Sequence, residues 1–169
     1  VSLLGKVPSP KILLKAFEEV KPNLILTVPL ILEKIYKKMI LPQLSKTTMK
    51  VALNIPLLDS RIYAQIRKKL VDAFGGRFRE VIVGGAAMNE EVTNFLYKIK
   101  FPFTIGYGMT ECGPLISYDH NDEYVPGSCG QILKGIMKVR IDSEDPYNKV
   151  GEIQVSGENV MKGYYKNEE

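Results

Sequence analysis

The stretch Arg79–Glu111, REVIVGGAAMNEEVTNFLYKIKFPFTIGYGMTE, decides the fold. Arg79 to Val83 reads as a strand, and Gly84-Gly85-Ala86-Ala87-Met88 turns the chain out of it. Asn89 then stands where a helix N-cap belongs, with Glu90 and Glu91 in the first turn, where carboxylates favour the positive end of the helix dipole. Val92, Phe95, Leu96 and Ile99 recur at helical spacing and give that helix one apolar stripe. Phe103 to Tyr107 reads as the next strand, closing a strand–helix–strand unit.

The same alternation extends toward the N-terminus. Ser9-Pro10 is a cap followed by proline at the first helical position, and Leu13, Ala16, Phe17 and Val20 form the apolar face of the helix that follows. Lys21-Pro22 ends it. Leu24 to Val28 is a strand, and Pro29 opens a second helix with Leu32, Ile35, Tyr36, Met39 and Ile40 on one face. Leu41 to Leu58 reads mainly as connection. A third helix begins near Asp59-Ser60, turns Ile62, Ile66, Leu70, Ala73 and Phe74 inward, and stops at Gly75-Gly76. Alternating strands and helices of these lengths predict an α/β fold with a mainly parallel sheet flanked by helices. Ligands in such sheets lie beyond the carboxyl ends of the strands, where Gly84–Met88 and Gly106–Glu111 both fall, so both are expected to face one cleft.

After Pro114 the period changes. Met137, Val139 and Ile141 alternate with Lys138, Arg140 and Asp142, and Ile153 and Val155 repeat the alternation, as in a small antiparallel sheet. A boundary is expected within the polar stretch Asp119–Gly127, giving an α/β subdomain over 1–120 and an antiparallel β subdomain over 121–169. The chain begins at Val1 and ends on Asn167-Glu168-Glu169, which suggests a segment of a longer, multi-subdomain protein.

Composition narrows the class. A chain of 169 residues can bury roughly two-thirds of its unfolded surface, enough for a true core. The net charge of +4 comes from 23 basic and 19 acidic residues without a long run of one sign, which argues against nucleic acid as a partner. Arg61, Arg67, Lys68 and Lys69 are expected on a solvated helix face. Cys112 and Cys129 form neither a metal spacing nor a disulfide framework, so a reducing, cytoplasmic setting is the expectation. No apolar run reaches the length needed to span a bilayer.

Candidate chemistry concentrates in Tyr107-Gly108-Met109-Thr110-Glu111. A strand ending in glycine lets backbone approach a ligand closely, and the ring, hydroxyl and carboxylate beside it suit a base, a phosphate and a metal. Taken singly, each residue has a plainer reading. Gly84-Gly85-Ala86 lacks the P-loop ending and the three-glycine dinucleotide spacing, so it can be a simple tight turn. Tyr107 can be core packing, Thr110 can satisfy turn backbone, and Glu111 can be a surface or capping carboxylate. His120 has no evident partner in the sequence, and Cys112 reads as a small buried filler.

In order along the chain, however, these segments resemble a known family. Gly84-Gly85-Ala86-Ala87-Met88, Tyr107-Gly108-Met109-Thr110-Glu111, Gly127-Ser128-Cys129-Gly130, Gly151-Glu152-Ile153-Gln154-Val155-Ser156-Gly157 and Gly163-Tyr164-Tyr165 together look like the acyl-adenylate-forming, AMP-binding superfamily. Val28-Pro29 with Leu32-Glu33-Lys34-Ile35-Tyr36 is similar to its long-chain fatty acid CoA ligase branch. The resemblance implies ATP, Mg²⁺ and coenzyme A as ligands and a fatty acid as substrate. It implies that Tyr107 packs against adenine, Thr110 contacts phosphate and Glu111 helps hold Mg²⁺. It implies that Gly84, Gly85 and Ala86 line the adenine and acyl pockets beside Gly106, Gly108 and Met109, and that Thr110 and Glu111 serve the chemistry. Peripheral membrane contact of a full-length protein stays open.

The chain also departs from the pattern. The family's phosphate loop, ribose-binding aspartate and catalytic lysine have no counterpart in it, Cys129 stands where valine is usual, and Glu168 follows Asn167 where proline is common. The segment alone is therefore expected to be inactive. Two other readings remain at this point: an adenylating enzyme with another acid or a carrier-protein acceptor, and a nucleotide-binding module without catalysis.

Overall fold

A computed structural model describes residues 9–167; the departure at Glu168 lies outside the described residues. Helices and three short strands alternate through the first part of the chain. Helix α1 (Pro10–Val20) begins at Ser9, whose hydroxyl accepts from the Ile12 amide at 3.4 Å. Strand β1 (Leu24–Thr27) leads into α2 (Pro29–Ile35), which widens into a π-helical turn over Tyr36–Ile40. Ile31, Leu32, Ile35, Tyr36 and Ile40 are buried along it. Met39, expected on that face, is exposed instead, and the extra residue per turn of a π segment rotates it away from the core. Val20, the last residue of α1, is exposed as well.

The stretch expected to be connection holds two short helices, α3 (Leu41–Leu44) and α4 (Thr47–Ala52). Neither contains a buried residue, so neither leaves the apolar periodicity that reveals a packed helix. Pro42 lies in the first turn of α3, where its missing N–H has no partner to lose. Helix α5 (Leu58–Ala73) turns Leu70 inward, with Phe74 just beyond it. Arg61, Arg67, Lys68 and Lys69 are exposed on it, as a solvated face should be.

Strand β2 (Glu80–Val83), helix α6 (Glu90–Lys98) and strand β3 (Phe103–Ile105) form the unit expected from the sequence. The sheet has the order β1-β2-β3, all parallel, with Thr27, Val83 and Ile105 in register at its carboxyl end. Val81 and Val83 are fully buried and Phe103 and Ile25 nearly so, packed against α2, α5 and α6. Four phenylalanines reinforce the core: Phe74 lies 5.4 Å from Phe17, 5.9 Å from Phe78 and 5.6 Å from Phe101, centroid to centroid.

The expected strand Phe103–Tyr107 divides at Gly106. The Gly106 amide still donates to Val83 at 2.9 Å, and then the backbone leaves the sheet. Strand β4 (Tyr107–Gly108) pairs antiparallel with β5 (Leu115–Ser117), across a 3₁₀ turn at Thr110–Cys112. Strands β6 (Met137–Asp142) and β7 (Glu152–Gly157) form the antiparallel ribbon read from the alternation. Met137 joins Cys112 and Ile116 in a second core, against which Tyr107, Val139 and Val155 pack. Cys112 and Cys129 are free thiols. No helix among the described residues is long and apolar enough to cross a membrane.

Residues 117–121 run back along β3 and are pinned at both levels of the sheet. The Thr104 hydroxyl donates to the Asp119 carbonyl at 2.8 Å. At the amino end of β2 the buried Glu80 carboxylate accepts from the Asn121 amide at 3.0 Å, from its side chain at 3.2 Å and from the Tyr118 hydroxyl. His120, read as partnerless, lies 3.5 Å from Glu80 and 3.0 Å from the Tyr118 oxygen. Its partner was hidden because Glu80 is forty residues earlier in the chain and is brought beneath it only by the sheet.

Burial alone pushes the Glu80 carboxyl up, but the bonds from Tyr118, Asn121 and His120 outweigh it and hold the group below its ordinary value of 4.5. A depressed folded value means that the unfolded chain binds the proton first, so this stabilisation is present above pH 4.5 and lost as the pH falls through the folded value. Acid titration of stability should therefore fall more steeply for the unsubstituted chain than for Glu80→Gln below about pH 4.5. Parallel curves would contradict the clamp.

Candidate functional site

The site is built where the parallel strands end. Beyond β1 the Thr27 carbonyl accepts from the Gly84 amide at 3.1 Å, and beyond β2 the Val83 carbonyl accepts from Gly106, so the ladder runs one residue past the strands on both sides. The two glycine segments are thereby held side by side; a Cβ on Gly84 would lie 3.4 Å from the Gly106 carbonyl oxygen. Gly85 has φ +88°, a left-handed conformation that turns the loop away from the sheet and that L side chains rarely adopt. The far end of the loop is anchored by Asn89, whose side chain caps α6 at the Val92 amide (3.2 Å) and whose own amide donates to Glu33 on α2 at 3.0 Å. Tyr36 donates to Glu91 at 2.9 Å, tying the same two helices.

Gly108 sets the second half. Its position faces the Pro114 carbonyl so closely that a Cβ would fall 1.9 Å from the oxygen. The Met109 amide donates to that same carbonyl at 2.8 Å, closing the loop that carries Thr110 and Glu111. Cys112, 3% exposed, plugs the turn into the second core and fills space rather than offering a nucleophile. The segment after β7 locks the turn from outside: Asn159 donates to the Cys112 carbonyl at 2.6 Å, and the Met161 amide donates to the Glu111 carbonyl at 2.8 Å.

Two clefts open on this framework. The larger, about 660 Å³, is lined by Gly85–Met88, Ile105–Gly108, Thr93 and Asn94 of α6, and by Tyr124 and Pro126–Cys129. The smaller, about 340 Å³, is lined by Thr27, Gly84, Gly85, Gly106–Thr110 and Leu115. Of the residues singled out in the sequence, Gly85, Gly106, Tyr107 and Gly108 form a wall common to both clefts. Ala86 lines only the larger, and Gly84, Met109 and Thr110 only the smaller. Glu111 lines neither. Its carboxylate accepts a hydrogen bond from the Tyr164 hydroxyl, which pulls its pKa down and raises that of the phenol.

Two tyrosines that sequence reasoning gave no role therefore belong to this region. Tyr164 was visible as part of a glycine–tyrosine motif, but its contact with Glu111 spans fifty-three positions. Tyr124 stands alone in a polar stretch with no periodicity around it. Among the described residues no group of three or more His, Cys, Asp or Glu converges into a metal cage. Glu111 can therefore hold a hard cation only in concert with oxygens of a ligand, which is how Mg²⁺ is commonly bound beside phosphates.

The AMP-binding enzyme family matches residues 2–165. The chain belongs to that family. Among relatives of this AMP-binding chain, long-chain-fatty-acid–CoA ligase 1 of Saccharomyces cerevisiae is 27% identical over an alignment covering 90% of the chain and 24% of the relative. 4-Coumarate–CoA ligase 1 of Narcissus pseudonarcissus is 32% identical over 68% of the chain and 23% of the relative. The same fold occurs in the o-succinylbenzoate coenzyme A synthetase of Bacillus subtilis in complex with ATP and magnesium, with a TM-score of 0.62 at 21% identity over 95% of this chain and 28% of that one. It occurs equally in a long-chain-fatty-acid–CoA ligase of Archaeoglobus fulgidus, with a TM-score of 0.62 at 18% identity and coverage of 95% and 29%. This AMP-binding chain thus spans about a quarter of the length of the relatives it matches.

The two glycines differ sharply in what they tolerate. Gly108→Ala is expected to lower the unfolding free energy in a denaturant titration by at least about 1–3 kcal/mol, because the methyl must displace the Pro114 backbone. Gly84→Ala, with ordinary contact distance available, should cost less than about 1 kcal/mol. Equal losses would show that the close approach at Gly108 does not set the loop.

Proposed function

We propose that the protein carrying this chain is an AMP-forming acid–CoA ligase acting on long-chain fatty acids. The observation that carries this reading is the wall shared by the two clefts. A carboxylic acid and ATP must meet at one phosphorus atom, and two cavities divided by Gly106-Tyr107-Gly108 allow each to be held separately up to that point. The larger cleft is within the usual range for a small-molecule site and suits the adenosine moiety, with the Tyr107 ring and the Gly85–Ala86 backbone against the base. In this reading Thr110, which lines the smaller cleft, meets the phosphate, and the acid enters from that side.

In this reading the acid's carboxylate oxygen attacks the α-phosphorus, the bond to pyrophosphate breaks, and an acyl-adenylate forms. The thiol of coenzyme A then attacks the acyl carbon and AMP departs. Mg²⁺, when bound, offsets charge on the phosphate oxygens. The chain's own contribution is orientation: Tyr107 and the glycine backbone hold the base, Thr110 offers a hydroxyl, and Glu111 directs its carboxylate once the Tyr164 hydroxyl releases it. No covalent nucleophile is needed. The α/β part to residue 120 and the antiparallel part from 121 act as two subdomains, while the phosphate loop, ribose-binding aspartate and catalytic lysine come from segments outside this chain. We place the protein in the cytoplasm, with peripheral membrane contact compatible with a lipid substrate.

The long-chain branch is supported by the yeast alignment, which runs over 90% of the chain. An aryl acid is the second reading, favoured by 4-coumarate–CoA ligases that match at higher identity over shorter spans. Supplying the full-length protein with ATP, Mg²⁺, CoA and either palmitate or 4-coumarate separates them. Palmitoyl-CoA and AMP should form with a kcat/KM at least about tenfold above that for 4-coumarate, a difference of about 1.4 kcal/mol. The reverse preference would assign the aryl branch, and AMP release with neither acid would sink both. Glu111→Ala should lower kcat/KM by about a hundredfold or more, in line with a misplaced metal, and an unchanged rate would remove the carboxylate from the chemistry.

A further inference from the structure

Tyr124 is 4% exposed, and its hydroxyl oxygen is inaccessible to solvent with no hydrogen-bond partner among the described residues. Its ring is fixed by Phe103 at 4.9 Å and by Tyr97, edge-on, at 6.3 Å. The residue nonetheless lines the larger cleft, together with Tyr107 and the Gly85–Met88 turn. The backbone of Gly127 faces the phenol oxygen without completing a hydrogen bond of ordinary geometry, so what this group lacks above all is an acceptor for its proton. Burial pushes the phenol pKa up, which keeps that proton in place at neutral pH.

A buried hydroxyl without a partner carries a desolvation cost that no hydrogen bond among the described residues offsets. The cost is recovered when a ligand supplies the missing acceptor. An aliphatic chain in this cleft offers none, whereas a purine base presents ring nitrogens along its edge. Resting on the nucleotide reading of the larger cleft, we propose that Tyr124 is a base-recognition residue whose hydroxyl donates a hydrogen bond to a ring nitrogen of the adenine. Tyr107 would then meet the face of the base and Tyr124 its edge, a division of labour that gives stacking without selectivity to one ring and selectivity to the other.

The test is calorimetric titration of the full-length protein with ATP and with its 1-deaza, 3-deaza and 7-deaza analogues, in the unsubstituted protein and in Tyr124→Phe. Tyr124→Phe should bind ATP about three- to tenfold more weakly, with a melting temperature unchanged or raised in the absence of nucleotide, because the lost hydroxyl has no partner in the free protein. One deaza analogue should lose the same factor on the unsubstituted protein and nothing further on the variant. Wild-type ATP affinity in Tyr124→Phe would overturn the proposal, and so would equal binding of ATP and all three analogues by the unsubstituted protein, a result that decides the matter even if the variant does not fold. Absence of any ATP binding by the unsubstituted protein would remove the nucleotide reading itself, and this contact with it.

Discussion

Pairing of the central strand Glu80–Val83 with both neighbours is the constraint on which the rest depends. It brings Thr27, Val83 and Ile105 to one level, and from that level every glycine of the candidate site departs. Each ladder bond contributes only about 0.5–1.5 kcal/mol net, so register is fixed by what the strands bury. Val81, Val83, Ile25 and Phe103 leave almost no surface exposed, and a slip of one residue would turn all of them outward. The same pairing continues to the Gly84 and Gly106 amides, so the walls of the clefts are extensions of the sheet rather than free loops.

What the sheet fixes on one side, a few polar contacts fix on the other. Glu80 holds the returning strap at Asn121 and Tyr118, and the strap leads back through Ser117, which pairs with Tyr107. A buried carboxylate at the amino end of the sheet thus bears on the placement of an aromatic ring at the carboxyl end. The turn at Thr110–Cys112 is held from a third direction by Asn159 and Met161, so the candidate metal carboxylate depends on the strand pair β6–β7 although none of its residues line the clefts.

The parallel sheet was legible in the sequence because its strands and helices carry strong apolar patterns between glycine and proline boundaries. The antiparallel ribbon was legible from strict alternation over Met137–Asp142. The short helices over 41–52 were not, since none of their residues is fully buried and only Leu41 and Leu44 touch the core, too few for a stripe to read. The end of β3 was misplaced by two residues because Tyr107 continues the apolar run while its hydrogen bonds go to β5. At the site, the glycine turns and the Tyr107–Glu111 run could be found as motifs. The partners that complete them, Tyr124 and Tyr164, could not, because their roles come from contacts between distant segments and from a cavity that exists only once the sheet has formed.

In the function we propose, one wall, Gly106-Tyr107-Gly108, divides a nucleotide from the acid it activates. The most direct measurement is a crystal structure of the full-length protein with ATP and Mg²⁺. Adenine should lie in the larger cleft against Tyr107, the α-phosphate at the Thr110 edge of the smaller one, and the Glu111 carboxylate should be turned from Tyr164 toward the cation. Nucleotide density elsewhere, with both clefts empty of it, would rule out this division of the site.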